Sequence, residues 1–238
     1  KHNRKGCTPK SGARAAPEGD GHAVTTTPQL IDSLAGGLKP APHGFVARCL
    51  GLGVALGASI AIAAMLLAWG LRPDILRAVA SSSFWLKLAY TGGLALLGFV
   101  SILRLSRPEG RVPPMVWLGL ALVMLAMAAL AAAELWHAPA SDYRALVMGS
   151  TSAACPWLIA ILAIPTIGGI FWALHRLAPT QLTLAGAAAG LTAGATAAFI
   201  YAFSCDESAL PFVLIWYGIG MAVPTAIGAW LGRVALRW

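Results

Sequence analysis

Between Arg48 and Arg72 the chain carries no charged side chain, and the run between them, CLGLGVALGASIAIAAMLLAWGL, is almost wholly apolar. A helix rises about 1.5 Å per residue, so crossing a hydrocarbon core about 30 Å thick takes roughly 20 such residues. With Phe45 to Ala47 ahead of it, this run is the first membrane span. Further apolar stretches fall at Phe84 to Leu103, Pro113 to Ala133, Ala153 to Leu174, Leu182 to Phe203 and Ala209 to Leu231. The expectation is an all-α polytopic membrane protein with six transmembrane helices. A chain that is 58% hydrophobic and 11% charged, with a mean hydropathy of +0.73, has more apolar surface than a soluble globule could hide. The net charge of +8, a pointer to nucleic acid in a soluble chain, here reports orientation, and no direct nucleic-acid partner is expected.

Residues 1–25 are polar, rich in Gly, Pro and basic residues, and lack apolar periodicity, so they read as a disordered tail. They contain no apolar core of a secretory signal. Residues 26–44, TTPQLIDSLAGGLKPAPHG, differ in kind. Thr27 can cap a helix with Pro28 at its first position, and Leu30, Ile31, Leu34 and Leu38 then form one apolar stripe. Gly36 and Gly37 weaken its last turn and Pro40 stops it. So short a helix is marginal in water without a partner. It either lies on the lipid surface or lays Leu30, Ile31 and Leu34 into a groove of another protein. Residues 45–238 are then the transmembrane domain, with connections too short for a second soluble domain.

Orientation follows from the basic residues. Arg72, Arg77, Lys87 and Arg144 fall on one side, and the remaining thirteen of the seventeen fall with the tail. The positive-inside rule places both termini in the cytoplasm. Trp69, Trp85, Trp136 and Trp157 mark the outer ends of the spans, and Trp117, Trp172 and Trp230 the inner ends, as rings do at headgroup level. The fifth span carries Gly186, Gly190, Gly194 and Ala198 at intervals of four, and the sixth carries Gly220, Pro224, Gly228 and Gly232. Small residues at that spacing leave a flat face for close packing, within the chain or in a homodimer.

Chemistry is sparse. Glu134, at the outer edge of the third span, is the ionisable group nearest the membrane interior, which argues against an ion-coupled transporter. The histidines do not face one another at matching depths, so no bis-His haem and no other cofactor is expected. No nucleophile-elbow, metalloprotease, P-loop or dinucleotide-binding fingerprint occurs in a suitable context, and the chain is not expected to be an enzyme. Asp206 and Glu207 are adjacent in a tight loop, where carboxylates more often cap the next helix than do acid–base work. The cysteines say more. Cys7 and Cys49 belong to the reducing side, whereas Cys155 and Cys205 lie at the same depth on the outer face. Such a pair can be a permanent disulfide, two buried apolar thiols, or an accessible switch that oxidises or binds a soft metal ion. His137, Asp206 and Glu207 are available on that side as further ligands.

The segment TPQLIDSLAGGLKP, the LRPDI turn, the ILRLSRPEGR loop, the ACPW opening of the fourth span, the LHRLAPT loop and the closing run from CDESALPF to VALRW together resemble the NrsF-type multi-pass membrane anti-sigma factors, over residues 27–238. The resemblance implies a six-span inner-membrane protein whose N-terminal segment sequesters an extracytoplasmic-function sigma factor, with Leu30, Ile31, Leu34 and Leu38 as its contact face. It also implies that Cys155 and Cys205 serve as sensor thiols, and as metal ligands where the signal is a heavy metal, and that they release the sigma factor under metal or oxidative stress. The chain departs from the pattern in its long tail and in Pro28-Gln29, where relatives tend to be acidic. A small-solute transporter and a structural membrane protein are the competing readings. The first needs a polar site at mid-depth, and the second a cysteine pair oxidised under all conditions.

Overall fold

The computed structural model describes Thr27, Pro28, Ile31 and residues 44–107, 110–177 and 179–236. They divide into two units, residues 1–45 and 46–238. In the first, Thr27, Pro28 and Ile31 are helical and exposed, Ile31 at 58%. Leu30, Leu34 and Leu38, the rest of the expected stripe, lie outside the described residues, as does the tail 1–25.

Among the described residues every regular element of the second unit is helical. The order is α1 (Phe45–Ala68), α2 (Ile75–Val79), α3 (Ser82–Leu105), α4 (Pro114–His137), α5 (Tyr143–Met148), α6 (Cys155–Leu174), α7 (Leu182–Tyr201) and α8 (Leu210–Ala235). Six of these, α1, α3, α4, α6, α7 and α8, are long and apolar enough to cross a membrane. Their boundaries fall within four residues of the expected ones, because charge and apolar run length set both. The last span was not foreseen in one respect: it opens as Leu210–Phe212, passes through a π turn at Val213–Tyr217, and only then continues as an α-helix.

Successive spans alternate in direction, so the connections gather at two ends. One end collects residues 69–81, 138–154 and 202–209 and contains Cys205; it is called the thiol end. The other collects residues 106–113 and 175–181 and carries Arg104, Arg107, Arg111, Arg176 and Arg233. All five described carboxylates, Asp74, Glu134, Asp142, Asp206 and Glu207, lie toward the thiol end. The connections are tied across each end. The Arg72 N–H donates to the Phe203 carbonyl at 3.1 Å, and at the arginine end Gln181 Nε2 donates to the Gly110 carbonyl at 3.4 Å. The turn out of α1 needs Gly70, whose φ of +72° is a conformation that a side chain disfavours.

The core lies along α7. Thirteen of its twenty residues are buried, whereas α4 buries only Val116, Met127 and Ala131. The glycine stripe explains why α7 sits so deep. A Cβ on Gly186 would fall on the Gly228 carbonyl, and one on Gly190 would fall on the Pro224 carbonyl and within 2.7 Å of the Thr225 Cα. The small-residue faces of the fifth and sixth spans therefore pack against each other within one chain. Two further close crossings involve α1, whose Gly53 and Gly57 are themselves four residues apart, and α3. Gly53 and Gly57 of α1 lie on Gly169 and Thr166 of α6, and Gly98 of α3 lies on Thr192 of α7. Helices in lipid gain little from apolar burial against one another, so close backbone approach supplies the contact that holds them.

Gly190→Val is therefore expected to destabilise the bundle by about 1–3 kcal/mol through overpacking and to lower the thermal midpoint of the detergent-solubilised protein. Gly51→Ala, where an added Cβ meets open space, should leave that midpoint unchanged.

Candidate functional site: a buried thiol pair

Two helix termini bring Cys155 and Cys205 together. Cys155 is the first residue of α6, followed by Pro156, whose fixed φ and missing N–H suit a first turn. Cys205 follows the end of α7, where its N–H still donates to the Tyr201 carbonyl at 3.0 Å. The sulfurs meet within hydrogen-bonding reach and are not joined by a disulfide. Both are shut away, with Cys155 at 0% exposure and Cys205 at 3%. The two thiols are in contact, and both are closed off from the surface.

Two cations hold the loop after Cys205. The Arg72 guanidinium, 5% exposed, donates through Nη1 to the Cys205 carbonyl at 3.2 Å and through Nη2 to the Asp206 carbonyl at 3.4 Å. Its own charge is met by Asp74, whose carboxylate accepts Nε and Nη2 at 2.6 and 2.8 Å, and by Asp206 at 3.5 Å. That pairing raises the affinity of Arg72 for its proton and holds the Asp74 carboxyl below the usual range. Lys87, in the second turn of α3, is 1% exposed. Its Nζ donates to the Glu207 carbonyl at 2.8 Å and reaches the Cys205 carbonyl at 3.5 Å, and it lies 4.6 Å from the centre of the Tyr217 ring. The sequence assigned Arg72 and Lys87 only to the outer side of the membrane and singled out Glu134 as the ionisable group nearest the interior. Both are buried, because position along the chain assigns a side of the membrane but not a face of a helix.

The remaining carboxylates have structural partners. Glu207 Oε1 accepts the Ser150 N–H at 2.6 Å and the Ser150 hydroxyl at 2.7 Å. Gly149 makes room for this, since a Cβ there would come within 2.7 Å of the Glu207 carboxyl carbon. The cap of α8 comes from neither Asp206 nor Glu207. It is Glu134 of α4, whose Oε2 accepts the Leu210 N–H at 2.8 Å at the positive end of the helix. The π turn in α8 carries Trp216, whose indole N–H donates to the Val147 carbonyl at 2.9 Å, and Tyr217, whose buried hydroxyl faces Cys205. His137 ends α4 and is exposed. Among the described residues no group of three or more His, Cys, Asp and Glu is arranged to hold a metal ion, so Cys155 and Cys205 stand as a two-sulfur pair.

The environment activates one of these sulfurs. The hydrogen bond from the Cys155 thiol, together with the Lys87 ammonium, holds the Cys205 thiol below its ordinary range, against the opposing effect of burial.

The chain matches the family model described as negative regulator of sigma F over residues 34–238. It belongs to the NrsF family. A relative named Probable anti-sigma-F factor NrsF, from Azospira oryzae, is 38% identical over 212 residues, which cover 89% of this chain and 99% of the relative. A second, the Anti-sigma-F factor NrsF of Caulobacter vibrioides, is 37% identical over 223 residues with the same coverage. No solved structure matches. The NrsF family model takes in the six spans, both thiols, Leu34 and Leu38, and starts after Leu30 and Ile31.

A lowered thiol pKa means that the thiolate is present above the lowered value and is lost only as pH falls through it. The rate of Cys205 alkylation by iodoacetamide should therefore change little between pH 8 and pH 7. In Cys155→Ala, which removes the donated hydrogen bond, the rate should fall more steeply over that interval, approaching the tenfold per unit of an ordinary thiol. Mass spectrometry of the labelled Cys205 peptide reads both rates.

Proposed function

We propose that this protein is a membrane-bound anti-sigma factor of a bacterial inner membrane, with both termini in the cytoplasm, that sequesters an extracytoplasmic-function sigma factor through residues 26–44. The observation that carries this reading is family membership across the whole bundle, with relatives named as anti-sigma-F factors. The orientation draws support from the end opposite the thiols, where Arg104, Arg107, Arg111, Arg176 and Arg233 stand with no described carboxylate among them. Leu30, Ile31, Leu34 and Leu38 supply the apolar contact face, and the exposed Ile31 is in keeping with a face that awaits a partner. A short helix that is stable only when docked suits regulated binding, since its ordering cost falls at the moment of association.

In this reading Cys155 and Cys205 are the sensor. Their contact, and the lowered proton affinity of Cys205, favour oxidation to a disulfide or capture of a soft metal ion by two sulfurs. Burial adds a gate: the loop from Cys205 to Ala209 opens before the thiols react. The protein acts by binding and not by catalysis.

Co-purification from the native host tests both halves. The intact chain should retain a sigma factor, and a Leu30→Asp, Leu34→Asp double variant should lose it. Diamide takes two electrons and two protons from the thiols as the sulfur–sulfur bond forms and is itself reduced to the hydrazine. It should release the bound factor from the intact chain and leave it on Cys155→Ser and Cys205→Ser. A double variant that still binds, or cysteine variants that no longer bind, would overturn the assignment of the docking face or of the sensor respectively.

A further inference from the structure

The loop that carries Cys205 is held from two directions, and the two cations that hold it are not equivalent. Arg72 stands in the connection between α1 and α2, and its charge is met by Asp74 and Asp206. Lys87 stands inside a membrane span. Among the described residues no carboxylate lies within 4 Å of its ammonium. Its neighbours are the carbonyls of Cys205 and Glu207 and the face of Tyr217. A methionine of similar length would pack there without the cost of desolvating a charge, so stability alone is a poor reason for a lysine.

Its position supplies a better one. The Lys87 Nζ holds the carbonyls of Cys205 and Glu207, and its Cα belongs to α3, which runs without a proline from Ser82 to Leu105. At mid-length α3 lies on the core helix through Gly98 and Thr192. It ends at the connection 106–113, among the arginines of the opposite end. Forming a bond between Cys155 and Cys205 replaces a sulfur contact with a covalent link and draws the loop toward the start of α6. The carbonyls that Lys87 holds must move with it. In hydrocarbon an ammonium follows its acceptors, since no water stands by to replace them.

We propose that Lys87 is the positioning residue through which the state of the Cys155–Cys205 pair is passed to α3, and along that helix to the far end of the bundle. This rests on the sensor reading above. Arg72 anchors the loop locally, and Lys87 connects it to a span.

The test uses the full chain in nanodiscs with the sigma factor that co-purifies with it, treated with diamide, and reads disulfide yield by mass spectrometry and release of the factor separately. Lys87→Met should reach the parent's final disulfide yield, though more slowly because the cation beside Cys205 is gone, while release of the factor from protein already oxidised slows at least tenfold. Lys87→Arg, which keeps a cationic donor, should restore most of the release. Parent-like release from Lys87→Met overturns the proposal, and so does a failure of Lys87→Met to form the disulfide, which would make Lys87 an organiser of the pair. Hydrogen exchange on the parent chain gives a measurement independent of how the variants fold. Diamide should change the protection of residues 100–113, and unchanged protection during release overturns the coupling through α3. If Cys205→Ser also releases the factor, it is the sensor reading that has failed. If Cys205→Ser blocks release and Lys87→Met does not, the failure is confined to Lys87.

Discussion

In a bilayer the hydrophobic effect places helices in the membrane and then does little to choose their neighbours. Contact must come from backbones brought close enough for dispersion to act along a whole face. Here that contact is the crossing of α7 with α8, where Gly186, Gly190, Gly228 and Gly232 remove every Cβ that would hold the helices apart. With α8 fixed on one side, Gly98 on Thr192 sets α3 on the other, and α7 becomes a buried axle. The position of Cys205 is a consequence. It is the residue at which α7 leaves that packed core, so its sulfur is fixed relative to α3 and α8 before any local interaction adds to it.

The thiol end shows how a loop can be buried at a membrane boundary. Between the last helical bond of α7, from the Cys205 N–H, and the first of α8, to the Ala209 carbonyl, the carbonyls of Cys205, Asp206 and Glu207 are taken by Arg72 and Lys87, while Glu134 takes the Leu210 N–H. Each partner comes from a different element: the donors Arg72 and Lys87 from the connection after α1 and the second turn of α3, and the acceptor Glu134 from the end of α4. The loop thus reports on several spans at once. The same arrangement places a cation beside Cys205 and a thiol donor on it, so the groups that satisfy the backbone also activate the sulfur.

Much of this was legible beforehand. Spans could be read because a charge in hydrocarbon is costly, which makes charge-free runs of the right length an almost unambiguous signal. The small-residue stripe in α7 was visible as a period of four, and the depth of the two cysteines followed from topology. The partners of α1 were not visible, since Gly53 and Gly57 meet Gly169 and Thr166 without a matching repeat. The π turn at Val213–Tyr217 was also hidden, because a single inserted residue leaves no mark on an apolar run.

By itself, then, the sequence determined which stretches cross the membrane, which residues stand at which end, and that two thiols share a depth, all of which depend on order along the chain. Which faces meet was decided only in three dimensions. Lys87 and Arg72 could be assigned to a side of the membrane but not to a partner until the fold turned them onto the Cys205 loop, and Asp206 and Glu207 read as the cap of α8 until Glu134 took that place. The physical reason is that one residue along a helix turns a side chain by about 100°, whereas depth changes by about 1.5 Å. Depth is therefore robust in a sequence, and direction has to wait for the neighbours that packing brings.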